Sequence, residues 1–347
     1  MVTRDRAIST VMDVCLALLI ISASVMLVGM YLHDDEESIE GDRGDQALET
    51  LSGSTVTITY NLDAPNESGH AATDSDNYDL PDNLEPENVG ELYNITTYGS
   101  AADLLGEAAL SNLRIDGTEL FAYGHEVERS VEAAIQGRLV GSEGNVYAVA
   151  TWEPYEGAGI NGTATAGSRP PSTADVSSAT MEVSTDIPAL DPRSLANSLL
   201  QNPASRPDAE DGFDFVGRDI AAAMVEGYFP ATQSQYTLES TLSENPATLY
   251  NYRQMADVAG VDIESELTGT LPDATEANEK LRGDPGADGL APIIADDLRN
   301  STAGEKLEAA IDDFGNNPTP AERDELEALC EELFEPETIE ITVQTWD

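Results

Sequence analysis

From Val14 to Leu32 the chain reads VCLALLIISASVMLVGMYL. That is about 19 residues without a charge, roughly 28 Å long as a helix, which matches the hydrocarbon thickness of a bilayer. No later segment approaches this length without a charge. The pattern predicts a single membrane-spanning helix over about 8–32, inside an anchor formed by residues 1–33. About 315 residues then remain on one side of the membrane, enough for one large or two modest domains with a real core. Arg4 and Arg6 precede the span, and Arg43 is the only cation between residues 33 and 47. The positive-inside rule therefore puts the short N-terminus in the cytoplasm and the large C-terminal part outside the cell.

The charge balance narrows the setting. Sixteen Lys and Arg stand against 66 Asp and Glu, a formal charge of −50, and the only lysines are Lys280 and Lys306. Dense carboxylates hold water and ions at molar salt, where the Debye length falls to roughly 3 Å and self-repulsion is screened. Such a surface resembles that of a halophilic protein. It speaks against nucleic acid as a partner, because phosphate binding needs a cationic footprint and the arginines form no run. Cys15 lies in the anchor and Cys330 in a helix near the other end, so a bridge between them is not expected and Cys330 reads as a small buried hydrophobe.

A secretory signal would have a shorter apolar core followed by small residues, whereas this one runs straight into Asp34, Asp35, Glu36 and Glu37. Cleavage in front of the span is the alternative. Arg6-Ala7-Ile8-Ser9 before an apolar helix resembles the site of archaeal prepilin peptidases, which would cut between Ala7 and Ile8 and leave the span in place. Continued as Arg6-Ala7-Ile8-Ser9-Thr10-Val11-Met12, it also resembles the RAVSPVIG-type start of haloarchaeal type IV pilins. Bacterial-type pilins and tight-adherence pseudopilins carry an acidic residue one position before that of Asp13, where it pairs with a neighbour's new amino terminus. The resemblance gives Asp13 that part in assembly; read from its position alone, it is a carboxylate at the headgroup level. Asn66, Asn94, Asn161 and Asn300 begin Asn-x-Ser/Thr sequons that would all lie outside and could accept glycans.

Beyond the anchor, residues 34–52 read as an acidic stalk with a short helix around Gln46–Leu51. Thr55–Tyr60 alternates cleanly and predicts a strand with Val56, Ile58 and Tyr60 on one face. The stretch from Asp63 to about Gly90 is rich in Asp, Asn, Pro and Ser and predicts a solvated loop. Ser100 with Asp103 caps a helix to about Asn112, and a second follows over about 123–140 with Val127, Val131, Ala134, Ile135 and Leu139 on one stripe. Val146–Trp152 predicts a second strand and Met181, Val183 and Ile187 a third, with a Gly/Ser/Thr/Pro-rich stretch, Glu153–Ser177, between them.

After Pro192 helical periodicity takes over. Phe213, Val216, Ile220 and Met224 share a face, and further helices fit 233–243, 247–259, 274–282, 290–299 and 305–314. Thr319, Pro320 and Glu322 form a capping box ahead of Leu326, Leu329, Cys330 and Leu333. Ile339–Trp346 alternates again, and a lone terminal strand needs a sheet to join. The expected fold class is α/β (α+β): one transmembrane helix, then an extracytoplasmic antiparallel or mixed sheet with packed helices. In domain terms, 53–190 forms an α/β ectodomain, 191–336 a helical excursion and 337–347 a strand returning to the sheet.

Patterns for chemistry are sparse. His33, His70 and His125 lack the paired spacing of a metal site, and neither a nucleophile elbow nor a phosphate-cradling glycine loop occurs. Asp74–Asp79 and Asp284–Gly289 offer oxygen ligands but lack the glycine and distant glutamate of a calcium loop. No catalytic, cofactor-binding or metal residue is assigned. Overall the layout resembles an uncharacterised family of haloarchaeal single-pass proteins associated with pilus systems. The resemblance implies a non-catalytic surface protein, pilin-like or accessory to a type IV or tight-adherence pilus or secretion apparatus, with other subunits as partners. An anchored extracytoplasmic domain that binds a ligand or another protein is the alternative.

Overall fold

The computed structural model describes residues 43–62, 94–115, 117–139, 145–200, 209–239, 245–268, 271–284, 287–314 and 318–346. The predicted anchor, with Arg6, Ala7, Ile8 and Asp13, lies outside these residues, as do Asn66 and the 63–90 stretch. Among the described residues no helix is long and apolar enough to cross a membrane.

The fold is mixed α/β, with helices packed on small antiparallel sheets. β1 (Thr55–Asn61) follows from its alternation: Val56 and Ile58 are buried while Thr55, Thr57 and Thr59 face out. Its partner is β2 (Asn94–Ser100), antiparallel, with Thr57 opposite Tyr98. The sequence predicts no strand here, because NITTYGS offers only Ile95 as an aliphatic side chain and its alternation is nearly invisible.

Helix 101–111 begins as predicted, with Ser100 Oγ accepting the Asp103 N–H at 3.0 Å. Its apolar residues run almost all round, since it is covered by strands of both sheets. Helix 124–139 buries the predicted stripe of Val127, Val131 and Ile135 against β1 and a strand of the larger sheet.

The larger sheet has the order β6-β5-β8-β7, from β5 (Asn145–Trp152), β6 (Gly162–Gly167), β7 (Val176–Ser184) and β8 (Thr338–Trp346), all antiparallel. The last strand of the chain is thus an inner strand, and Ile339, Ile341 and Val343 carry the centre of the core. β6 lies inside the stretch that composition marks as Gly/Ser/Thr/Pro-rich. Its inward positions are Gly162, Ala164 and Ala166 because helix 101–111 presses on it: a Cβ at Gly162 would stand 2.2 Å from the Ala109 carbonyl oxygen. Small residues here record close packing and not a loop. The free edge of β6 is closed by helix 124–139, with Glu128 accepting the Thr165 N–H at 2.7 Å and Glu132 the Gly167 N–H at 3.3 Å.

The rest is helical, over Pro192–Leu199, Ala209–Tyr228, Ala231–Glu239, Asn245–Ala259, Glu264–Thr268, Ala274–Arg282, Leu290–Arg299, Thr302–Asp312 and Pro320–Leu333. Phe213, Val216, Ile220 and Met224 are fully buried. Helix 209–228 crosses helix 290–299 so closely that a Cβ at Gly217 would lie 2.7 Å from the Ala291 carbonyl oxygen and 2.9 Å from the Ala295 methyl. The capping box closes as expected: Thr319 Oγ1 accepts the Glu322 N–H, and the Glu322 carboxylate accepts the Thr319 N–H.

Several bounds differ from the sequence reading. Helix 231–239 starts two residues before the expected 233, and its expected end at 243 lies outside the described residues; helix 302–312 starts earlier than 305 because Ser301 caps it through the Gly304 N–H. Ile187 lies past β7 yet is buried. Within the stretch read as a stalk, residues 43–53 are helical; Leu51 enters the core and the Gly44 N–H donates to Ser177 Oγ at 3.3 Å, so this segment is docked on the domain.

One continuous core joins the small sheet to the helices through aromatic rings. Tyr60 stacks on Tyr123 at 6.0 Å between centroids, Tyr123 meets Tyr250 at 6.2 Å, Phe121 meets Tyr228 at 5.9 Å, and Phe229 stacks on Tyr252 at 3.9 Å. Burial pushes the Tyr60 and Tyr252 phenols up to about 12 and raises Tyr123 and Tyr228 as well, so these hydroxyls stay neutral.

Candidate binding site

A short hairpin, β3 (Arg114–Ile115) and β4 (Thr118–Glu119), follows the end of helix 101–111 and turns at Gly117, whose φ is 74°. It is held to the loop before β6 by an antiparallel bridge: the Arg114 N–H donates to the Asn161 carbonyl at 2.8 Å and the Asn161 N–H to the Arg114 carbonyl at 3.2 Å. Leu113, Ile115 and Leu120 bury the base of the hairpin. A cavity opens on each side of it.

The smaller, about 160 Å³, is polar and is lined by Asn112, Arg114, Glu119, His125, Asn161 and Thr163 among others. Arg114 donates to Glu119 Oε1 at 3.0 Å, and His125 Nε2 stands 3.2 Å from the same oxygen while its Nδ1 stands 3.5 Å from Glu128. Glu128 also accepts from Asn112 Nδ2 at 3.0 Å and from Thr165. Every charged group here has a protein partner, so the cluster ties helix 124–139 to the sheet.

The larger cavity, about 630 Å³, lies on the other side of the hairpin, between Ile115, Thr118 and Ile160 and the helical region's Val258, Ile293, Asp296, Asp297 and Asn300. Asp297 organises its floor. Its carboxylate accepts the Tyr155 O–H at 2.6 Å and the Gly159 N–H at 3.0 Å, and the Tyr155 hydroxyl also lies 3.3 Å from the Ile294 carbonyl. Burial, with the Asp297 charge beside it, raises the Tyr155 phenol far above its ordinary value. A Cβ at Gly159 would meet Asp297 Oδ1 at 2.3 Å, so only glycine allows the loop to sit down on the carboxylate. Asp296 is paired with Arg299 at 2.7 Å. The lining is half aliphatic, from Ile115, Ile160, Val258 and Ile293, and half polar, with Thr118 and Asn300 as the uncharged polar groups beside the two aspartates.

Of the residues singled out from the sequence, Asn161 and Asn300 come to opposite sides of this hairpin. Asn161 Nδ2 donates to the Gly159 carbonyl at 3.1 Å, whereas Asn300 caps helix 290–299 and its Nδ2 donates to the Asp296 carbonyl at 2.6 Å. Asn94 is elsewhere, at the start of β2, accepting from Asn61 Nδ2 at 3.0 Å. Asp284 pairs with Arg218 at 3.0 Å. Cys330 is buried, and that burial pushes its thiol up to about 12, which makes it inert as a nucleophile. The Tyr155–Asp297 pair is the feature that sequence reasoning missed. One member sits in a glycine-rich loop and the other among 66 acids, and no spacing links them.

A family profile described as "Family of unknown function (DUF7284)" matches residues 12–346. No curated protein and no solved structure matches the chain. The matched stretch takes in Asp13, the apolar segment and every described element up to Trp346, and the protein accordingly belongs to the DUF7284 family.

Proposed function

We propose that this is a non-catalytic cell-surface protein, held by its apolar segment and working by assembly as a pilin-like or accessory subunit of an archaeal type IV or tight-adherence apparatus. The observation that carries the reading is the start of the chain: Arg6-Ala7-Ile8-Ser9 followed by the uncharged run Val14–Leu32. Cleavage after Ala7 would leave that run at the new N-terminus, with Asp13 placed to meet a neighbour's amino group. The N-terminus begins in the cytoplasm, and residues 43–346 lie outside. The family match takes in the apolar segment on which this reading rests.

The test is the intact mass of the protein from its own membranes, beside a strain that lacks the prepilin peptidase. The expected result is a terminus at Ile8 that reverts to the uncut form in the deletion strain. An uncut terminus in both strains removes the assembly reading. In that case the 630 Å³ cavity favours an anchored binding domain, and a ligand-dependent rise in melting temperature at molar salt is the corresponding measurement.

A further inference from the structure

The sequons at Asn94, Asn161 and Asn300 place one three-residue signal in three different surroundings. An acceptor must offer its amide nitrogen together with the hydroxyl two residues on. Extended, uncovered backbone does so, because residues i and i+2 then share a face. Asn94-Ile95-Thr96 opens β2, with Asn94 and Thr96 exposed on the side that also carries Tyr98, which is 78% exposed. Among the described residues β2 pairs only with β1, so no described strand lies on its other edge. Asn94 meets Asn61 through its oxygen, Oδ1 accepting from Asn61 Nδ2 at 3.0 Å.

The other two are built into the fold. Asn161 Nδ2 donates to the carbonyls of Gly159 at 3.1 Å and Ala158 at 3.4 Å, and both its backbone groups are bonded to Arg114. The next residue, Gly162, is pressed against the Ala109 carbonyl. Asn300 ends helix 290–299 with φ −98° and ψ 0°, and its Nδ2 holds the Asp296 carbonyl at 2.6 Å. Ser301 is buried as the cap of the next helix, and Thr302 is that helix's first residue. Neither sequon is an extended, uncovered segment.

We infer that Asn94 is the glycan acceptor among these three, and that Asn161 and Asn300 stay bare. In the step itself Asn94 Nδ2 attacks the anomeric carbon of a saccharide carried on a polyprenyl phosphate. The bond from that carbon to the phosphate oxygen breaks, its electron pair leaves with the phosphate, and one amide proton passes to a base of the transferase. The product nitrogen keeps one hydrogen and the amide oxygen is untouched, so the Asn61 contact survives. Asn161, which donates to two carbonyls, would have to give one up. A bulky, hydrated saccharide at the start of β2 also shields an edge that could otherwise pair with another chain. Transfer requires residues 43–346 to lie outside the cell, so the inference rests on the orientation proposed above.

The test takes the protein from its own membranes and cleaves it after glutamate, which puts the three sequons in separate peptides, 92–107, 157–182 and 280–305. Mass spectrometry should find 92–107 heavier by whole sugar residues and the other two at their bare masses. Thr96→Val should abolish the increment and Thr96→Ser should keep it, since the transferase needs a hydroxyl there. The unsubstituted protein decides the matter even where a variant does not fold. A bare 92–107 peptide, or sugar on 157–182 or 280–305, overturns the inference. Orientation is read separately on intact cells with a membrane-impermeant maleimide, using Tyr236→Cys at an exposed position in a Cys15→Ser background; Cys330 is buried. Labelling from outside together with a bare 92–107 peptide sinks the acceptor assignment alone. A Tyr236→Cys thiol that reacts only after lysis sinks the orientation, and the assignment with it.

Discussion

The indole N–H of Trp152, the last residue of β5, donates to the carbonyl oxygen of Pro336 at 2.7 Å, and the ring is fully buried. Pro336 stands two residues before β8, so this bond fixes where the chain re-enters the sheet after the long helical excursion. Trp152→Phe keeps an apolar ring but removes the shorter of the two bonds to that carbonyl, the Thr185 hydroxyl remaining as a donor at 3.3 Å. A loss of about 2 kcal/mol is expected, from the lost hydrogen bond plus the vacated volume. Denaturant unfolding at molar salt measures it.

Tyr155 and Asp297 couple the Glu153–Asn161 loop to the helical region. Tyr155→Phe removes a hydrogen bond to a carboxylate and should cost about 1.5–3 kcal/mol. Asp297→Asn disturbs the same contacts, so the double variant should be less destabilised than the sum of the singles. A double-mutant cycle reads the coupling directly.

Glu107 gives a pH signature. Burial raises its carboxyl above the ordinary value, helped by the nearby charges of Asp186 and Asp103. Its folded-state value is higher than its unfolded one, so the fold loses stability as pH rises through the folded value and regains it as pH falls back. Glu107→Gln should accordingly be more stable than the parent at neutral pH, with the difference closing once the pH falls below the ordinary carboxylate range. Melting temperatures of both proteins across pH 3–8, a range spanning the usual carboxylate values with about one unit to spare, check this.

Gly217 is a packing prediction. Gly217→Val sets a branched side chain against the Ala291 carbonyl and the Ala295 methyl. Helices 209–228 and 290–299 must then move apart, at an expected cost of about 3 kcal/mol or more, at the upper end of overpacking effects. Gly137→Ala, where a Cβ meets nothing within 4 Å, is the matched control and should be neutral or slightly stabilising.

The charge of −50 makes a prediction for the whole molecule. Lowering salt from molar to about 0.1 M lengthens the Debye screening distance from roughly 3 to 10 Å and exposes the fold to its own repulsion. The melting temperature should fall steadily with dilution of salt, followed by circular dichroism, and sodium and potassium should act alike.

Local signals settled much of the secondary structure from sequence. The capping box at Thr319 and Glu322, the Ser100 cap, the stripe from Phe213 to Met224 and the alternation of β1, β5 and β8 are each written within a few residues, because caps and periodicities are properties of neighbours along the chain. Composition likewise carries the charge of −50 and with it the prediction about salt, and the apolar run at Val14–Leu32 stands out without any fold. Tertiary structure decided the rest. β2 and β6 are strands because a partner strand and a close-lying helix make them so, and their own residues are too polar or too small to announce it. That β8 lies between β5 and β7 and that Asp297 rather than any other acid seats the loop at Gly159 both depend on contacts between residues more than a hundred positions apart. No pattern of neighbours encodes such pairings, since they are selected by how the whole chain packs.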